Sequence, residues 1–205
     1  MWPEGNETRE ILDRVRSGQP EAVDQLLNRH REPVRRMIGL RLDPALAARV
    51  DASDIVQEVM LEASKRLGDY LKNPGMPFHL WLRHLAKDHI IDAHRRHRQA
   101  QRRSVDREKA LQANWPDRSS LDLAGELIDR ELTPASAALR QELQRRLRSV
   151  LEEMGEDDRE VLLMRHFEQM SNQEVADALG LSEAAAGMRH LRALRRLREL
   201  LDKTP

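Results

Sequence analysis

Three kinds of side chain in this sequence are spaced so that they could do chemistry. Carboxylates gather in the stretch DASDIVQE, where Asp51, Asp54 and Glu58 stand with Gln57. Paired carboxylates can hold a divalent ion for phosphoryl chemistry. Here no lysine, histidine or glycine-rich loop accompanies them, so they serve better as first-turn helix charge or as a polar surface for a protein partner. Histidines recur next, at His79, His84, His89, His94 and His97. Steps of five residues carry ligands around a helix. Only His94 and His97 share a face, and no carboxylate stands at matching spacing beside them, so no metal site is expected. Arginine makes the third and most pointed pattern. Between positions 78 and 103 seven Lys or Arg face two acids (Asp88 and Asp92), and no acid interrupts Arg189, Arg192 and Arg195 between positions 184 and 198. Such runs favour a phosphate partner over a merely solvated face, which mixes signs for solubility. In the first run, Phe78 and Trp81 lie at the end opposite the arginines. A cationic track combined with aromatic platforms is how single-stranded nucleic acid is held.

The rest of the chain must position these groups. Its net charge is zero, which makes the local basic excess more telling. Of its 205 residues 34% are charged, 40% hydrophobic and 3% aromatic, a balance for helices with small cores. Cysteine is absent, excluding disulfides and thiolate metal sites and fitting a reducing cytoplasm. The start, MWPEGNETRE, has no apolar signal core, and no apolar run approaches membrane-spanning length. A soluble, cytoplasmic, non-enzymatic protein without cofactor or membrane insertion is the expectation.

The periodicity predicts an all-α chain of two small helical domains joined by a linker, the C-terminal one containing a helix-turn-helix. Residues 1–19 read as a leader. In 20–103, a helix begins at Pro20, with Pro33 expected to kink or interrupt it. A second runs from about Ser53 to Leu71, with Ile55, Val56, Val59, Met60, Ala63 and Leu67 inward. LKNPGMP breaks the chain, and a third helix occupies 78–103, with Phe78, Trp81, Leu82, Leu85, Ala86, Ile90 and Ala93 at helical spacing. Residues 104–133 read as a linker, net acidic over 117–131, with a short helix at 121–128 and Trp115 as a docking residue.

In the last segment, 134–205, Thr133-Pro134 opens a helix as N-cap and first-turn proline. The run EDDREVLLMRHFE reads as one short helix. SNQE supplies both partners of a capping box at Ser171 and Glu174, and Gly180 a left-handed C-cap. A helix restarting at Leu181-Ser182 completes a helix-turn-helix.

Taken together, DASDIVQEVMLEA, FHLWLRHLAKDHIIDAHRR and LLMRHFEQMSNQEVADALGLSEAAAGMRHLRALRRLREL resemble the extracytoplasmic-function (group IV) sigma factors of bacterial RNA polymerase, over about residues 20–103 and 135–201. The resemblance implies two helical domains. The first, of sigma region 2 type, would bind the clamp of core RNA polymerase and open the −10 element of promoter DNA. The second, of region 4 type, would set its helix-turn-helix on the −35 element near the polymerase flap. It implies a polymerase-binding role for Asp51, Asp54, Gln57 and Glu58. It implies −10 contacts by Phe78, Trp81, Lys87, Asp92, Arg95, Arg96 and Arg98, with Met76 and Pro77 ending a base-capturing loop. It implies −35 contacts by Ser182, Glu183, Ala185, Arg189, Arg192 and Arg195. Control by an anti-sigma factor is compatible with it, and the acidic linker is a candidate cover for the basic helices. The sequence departs from the family pattern at Asp88, where Asn is usual, at Ala185 and Gly187, which replace Thr and Lys, and in the order His190-Leu191. Base-edge donors thin out there, so −35 recognition is expected to lean on phosphates and DNA shape. The alternatives are a stand-alone helix-turn-helix regulator and a metal-dependent nucleic-acid enzyme.

Overall fold

A computed structural model describes residues 2–3, 5–42, 46, 50–104 and 134–203, and of 98–104, 134–141 and 144 the backbone alone. The helix expected at 121–128, Trp115, the acidic part of the linker and the Thr133 cap lie outside the described residues. Every regular element among the described residues is helical, and they divide into two compact units, one on each side of the linker.

The first unit holds α1 (Asn6–Arg16), α2 (Pro20–Gly39), α3 (Ala52–Lys72) and α4 (Phe78–Ser104). Helices α2, α3 and α4 pack on one another and α1 packs on α2. Pro20 occupies the first turn of α2, where its missing N–H costs nothing. Pro33 does not interrupt α2. Its apolar stripe continues on both sides, through Ala22, Leu26 and His30 before and Val34, Met37 and Ile38 after, all buried. That burial outweighs a lost backbone hydrogen bond, about 3 kcal/mol at a helix interior. α3 is capped by Asp51, whose carboxylate accepts from the Ser53 N–H at 2.8 Å, and it buries the six predicted apolar residues together with Tyr70.

The leader reading of residues 1–19 is corrected by α1. Ile11 and Leu12 are buried, and Trp2 is itself a core residue whose ring lies 6.4 Å from His30 and 5.9 Å from His79. An ion pair of 2.7 Å between Glu7 and Arg29 ties α1 to α2. One large ring and a short apolar pair suffice to dock this helix, too little periodic signal to read from sequence.

The second unit holds α5 (Pro134–Glu153), α6 (Glu156–Leu162), a π-helical turn (Leu163–Phe167), α7 (Asn172–Leu179) and α8 (Glu183–Lys203). Val150, Met154, Leu162, Ala193 and Leu200 form its core, flanked by Leu151, Leu194, Leu197 and Leu201. The short helix expected through Phe167 stops at Leu162 and widens, the Glu168 N–H bonding the Leu163 carbonyl at 3.0 Å. Val161, Leu162, Leu163 and Met164 are all buried, so apolar contact surrounds the chain here instead of following one helical stripe. The capping box forms in both directions: Glu174 N–H donates to Ser171 Oγ at 3.2 Å, and Ser171 N–H to the Glu174 carboxylate at 2.6 Å. Gly180 takes φ 64°, the left-handed conformation that lets α7 end and α8 begin with three residues between them.

Candidate nucleic-acid interface

In the first unit the carboxylates of α3 and the cations of α4 meet across the packed seam. Glu58 receives both terminal nitrogens of Arg96, at 3.4 and 3.1 Å. His89 lies between two acids, Nδ1 3.3 Å from Glu58 and Nε2 2.7 Å from Glu62, and Glu62 also pairs with Arg66 at 2.8 Å. The hydrogen bond from Arg96 is the chief reason that the Glu58 carboxyl sits below its usual range. Arg66 and then His89 do the same for Glu62. A residue expected at a protein interface and one expected on DNA are therefore bound to each other. Asp51 spends one carboxylate oxygen on its helix cap, while Asp54 and Gln57 are exposed on the first turns of α3.

The exposed face of α4 carries Lys87 and Arg95, with Ile91 between them on the same stripe. Ile91 is 46% exposed, an apolar side chain that the sequence reading did not single out. Asp88 is exposed on this face, and Asp92 pairs with Arg95 at 3.7 Å. The Arg98 side chain lies outside the described residues. At the N-terminal end the two aromatic rings part company. Phe78, expected on DNA, is only 2% exposed, edge-on to His30 at 5.0 Å and to Tyr70 at 5.5 Å. A ring enclosed this way has no face to offer a base. Trp81 keeps part of its surface in solvent and stacks on Tyr70 at 4.8 Å. The Tyr70 hydroxyl donates to the carbonyl of exposed Met76 at 3.0 Å, which fixes the loop before α4 beside the Trp81 ring. From Trp81 to Arg96 the helix rises about 22 Å. The aromatic end and the basic end are thus separate parts of one rigid face. The histidine series is scattered: His79 is buried in the core, His84 is pushed down in pKa by burial, and His89 binds carboxylates.

In the second unit α8 seats Ala186, Ala193 and Leu200 in the core and turns the opposite stripe outward. Arg192 and Arg195 are exposed. Arg189 instead leans back, its side chain 25% exposed, to within 3.5 Å of Asp157 on the first turn of α6. With Arg192 it lines a cleft whose other wall is Gly155, Glu156, Asp157 and Asp158. Ser182 Oγ accepts from the Ala185 N–H at 3.2 Å, and Glu183 and Ala185 are exposed. Asn172 donates to the Glu183 carbonyl at 2.9 Å and locks α7 to α8. His190 and His166, the latter on the π turn, face each other with Nε2 atoms 2.9 Å apart. Burial holds both imidazoles below their usual pKa, with Arg165 nearby adding to the effect. Among the described residues no helix is long and apolar enough to cross a membrane.

Comparison with known proteins gives these two faces a setting. Residues 26–100 match the family described as Sigma-70 region 2, and residues 144–197 match Sigma-70, region 4. The RNA polymerase sigma factor CnrH of Cupriavidus metallidurans is 31% identical over 201 residues, 95% of this chain and 94% of its own. The ECF RNA polymerase sigma factor SigD of Mycobacterium tuberculosis is 28% identical over 200 residues, 97% of this chain and 86% of its own. Among solved structures, CnrH in complex with the cytosolic domain of CnrY shares the fold, with TM-score 0.61 at 23% identity over 97% of this chain and 99% of that one.

Proposed function

The chain belongs to the RNA polymerase sigma factors of the extracytoplasmic-function type, and we propose that it divides the work of promoter recognition between the two faces just described. As a sigma factor it binds core RNA polymerase, recognises −10 and −35 promoter elements and promotes transcription initiation. The region 2 unit ahead of the helix-turn-helix sets it apart from a stand-alone regulator. The chain does this by binding alone, in the cytoplasm, with no covalent step and no cofactor.

In this reading exposed Asp54 and Gln57 meet the polymerase clamp, and Glu58 contributes while bracing Arg96. Trp81 and the Met76 loop receive unpaired −10 bases, with Lys87, Arg95 and Arg96 along the backbone. Arg192 and Arg195 grip the −35 duplex near the flap, and Arg189 joins them when Asp157 lets go. Phe78 drops out as a base platform and becomes the support under Trp81. An anti-sigma partner fits the same chemistry, since CnrH is seen bound to another protein.

The observation that carries the reading is the order of parts: an acidic helix and an aromatic-to-basic helix packed in one unit, then an arginine-rich helix-turn-helix in another. In vitro transcription with bacterial core polymerase on a pool of genomic fragments tests it. Promoter-dependent transcripts are expected, and none from any fragment would refute it. Asp54→Arg combined with Gln57→Arg should abolish binding to core polymerase while leaving helix content unchanged. Both positions are exposed and neither braces α4, so retained binding would refute the clamp assignment.

A further inference from the structure

We infer that Met188 and Leu191 read thymine methyl groups in the major groove, making thymine the base that this chain selects in its upstream element. The inference rests on the sigma-factor reading and names what its second unit recognises.

Positions 184, 188, 191 and 195 form one outward stripe of α8, opposite the buried Ala186, Ala193 and Leu200. Met188 is 55% and Leu191 48% exposed, an apolar pair one helical turn apart with about half of each side chain in solvent. The reading end of a recognition helix is its N-terminal half, and here that half holds no amide and few groups able to bond a base edge. Ala184 and Ala185 carry only methyls, and Gly187 carries no side chain. Ser182 Oγ accepts from the Ala185 N–H and keeps one short donor, Glu183 can only accept and so suits cytosine alone, and Arg189 is drawn back to Asp157 at 3.5 Å. While Asp157 holds Arg189, bidentate reading of guanine or adenine has no partner before Arg192. Methyl and thioether groups are what this surface offers. In the major groove the apolar feature matching them is the C5-methyl of thymine.

Charge decides for DNA over an apolar protein surface as the occupant. The same exposed side continues directly into Arg192 and Arg195, with no acid between Glu183 and Arg198. An apolar pair bordered by cations suits a groove walled by phosphates.

The test uses the full chain with bacterial core polymerase. Duplexes randomised in the upstream element are selected for binding, and the winners are remade with deoxyuridine for deoxythymidine, which deletes the methyl and keeps the pairing. Thymine is expected at one or more fixed positions, and each methyl removed there should weaken binding about fourfold, the value of burying one such group. Met188→Ala with Leu191→Ala, both surface changes, should bind the two forms equally while keeping the salt dependence set by the arginines. Selected elements without a fixed thymine would overturn the inference, and so would uracil forms that bind wild type undiminished or a double variant that still distinguishes them. Failure to select any upstream element would instead overturn the assignment of this unit to duplex DNA, and the inference with it.

Discussion

The two basic helices, α4 and α8, solve opposite problems with the same residue types. On α4 the exposed Arg96 is braced from outside its own helix: Glu58 takes it in a two-point bond, and His89 ties Glu58 on to Glu62. On α8 the corresponding arginine is held by one looser contact, Arg189 to an Asp157 that is itself 80% exposed. The first arrangement fixes a face at the packed seam of two long helices. The second leaves an arginine able to change partners. A face that must hold unpaired bases gains from rigidity, whereas one that must settle into a groove gains from adjustable cations. This difference also separates the rings at the head of α4, where Phe78 is structural and Trp81 keeps a free surface.

The largest expected effect breaks that separation. Phe78→Ala should destabilise the first unit by about 3–5 kcal/mol, the usual cost of deleting a buried aromatic ring, visible as an earlier denaturant midpoint. Trp81→Ala should cost less stability. It should impair strand opening, since base stacking on an aromatic ring is worth about 1–3 kcal/mol. Permanganate reactivity of unpaired thymines in the polymerase complex measures this. Equal loss of opening from a Phe78→Leu variant that keeps the fold would erase the distinction between the two rings.

A smaller effect sharpens the contrast between the braces. Asp157→Asn should free Arg189, tighten binding to an upstream element by up to about fivefold, and steepen its salt dependence by about one ion. Glu58→Gln should do the reverse for the −10 face, because it removes a brace and not a competitor. Filter binding across a salt series with each holoenzyme checks both. If Asp157→Asn lowers affinity, the Asp157 contact orients Arg189 for DNA and does not hold it back.

Much of this was legible in the sequence for one reason: the decisive signals were local. The α3 stripe, the Ser171–Glu174 box and the Gly180 turn each follow from residues within a few positions of one another. What was not legible depends on distant partners. Whether Phe78 or Trp81 turns inward is settled by Tyr70 and His30, which helical spacing alone cannot bring into view. The Glu58–Arg96 pair spans 38 positions, and each residue read singly looked available to a different partner. Trp2 stood in what read as a leader because its pocket is made by α2 and α4. The π turn likewise answers to burial of four consecutive residues, a pattern that periodicity does not distinguish from a short helix.

The smallest expected effect concerns acid, and it again divides the two units. In the second unit His166 and His190 share a 2.9 Å contact that works only while one ring nitrogen accepts, and burial lowers the pKa of both. Below the usual imidazole value of about 6.5 the unfolded chain takes up protons that the folded pair resists. The unfolded state then binds more protons, so the second unit loses stability as pH falls from about 7 toward 5.5. In the first unit burial lowers His84 in the same direction, a single imidazole on α4 against a contacting pair in the second unit, so α3 is expected to lose less in that window. Its lowered carboxyls include Glu58 and Glu62 at the seam and Glu32 on α2, whose contribution stays intact above about 4.5 and is released only as pH falls further. Hydrogen exchange of α8 and α3 amides at pH 7 and pH 5.5, corrected for intrinsic rates, should show protection falling more in α8. His190→Gln should remove most of that excess, because the glutamine amide does not titrate. An excess that survives in the variant would place the acid sensitivity elsewhere in the second unit and leave the His166–His190 contact a passive one.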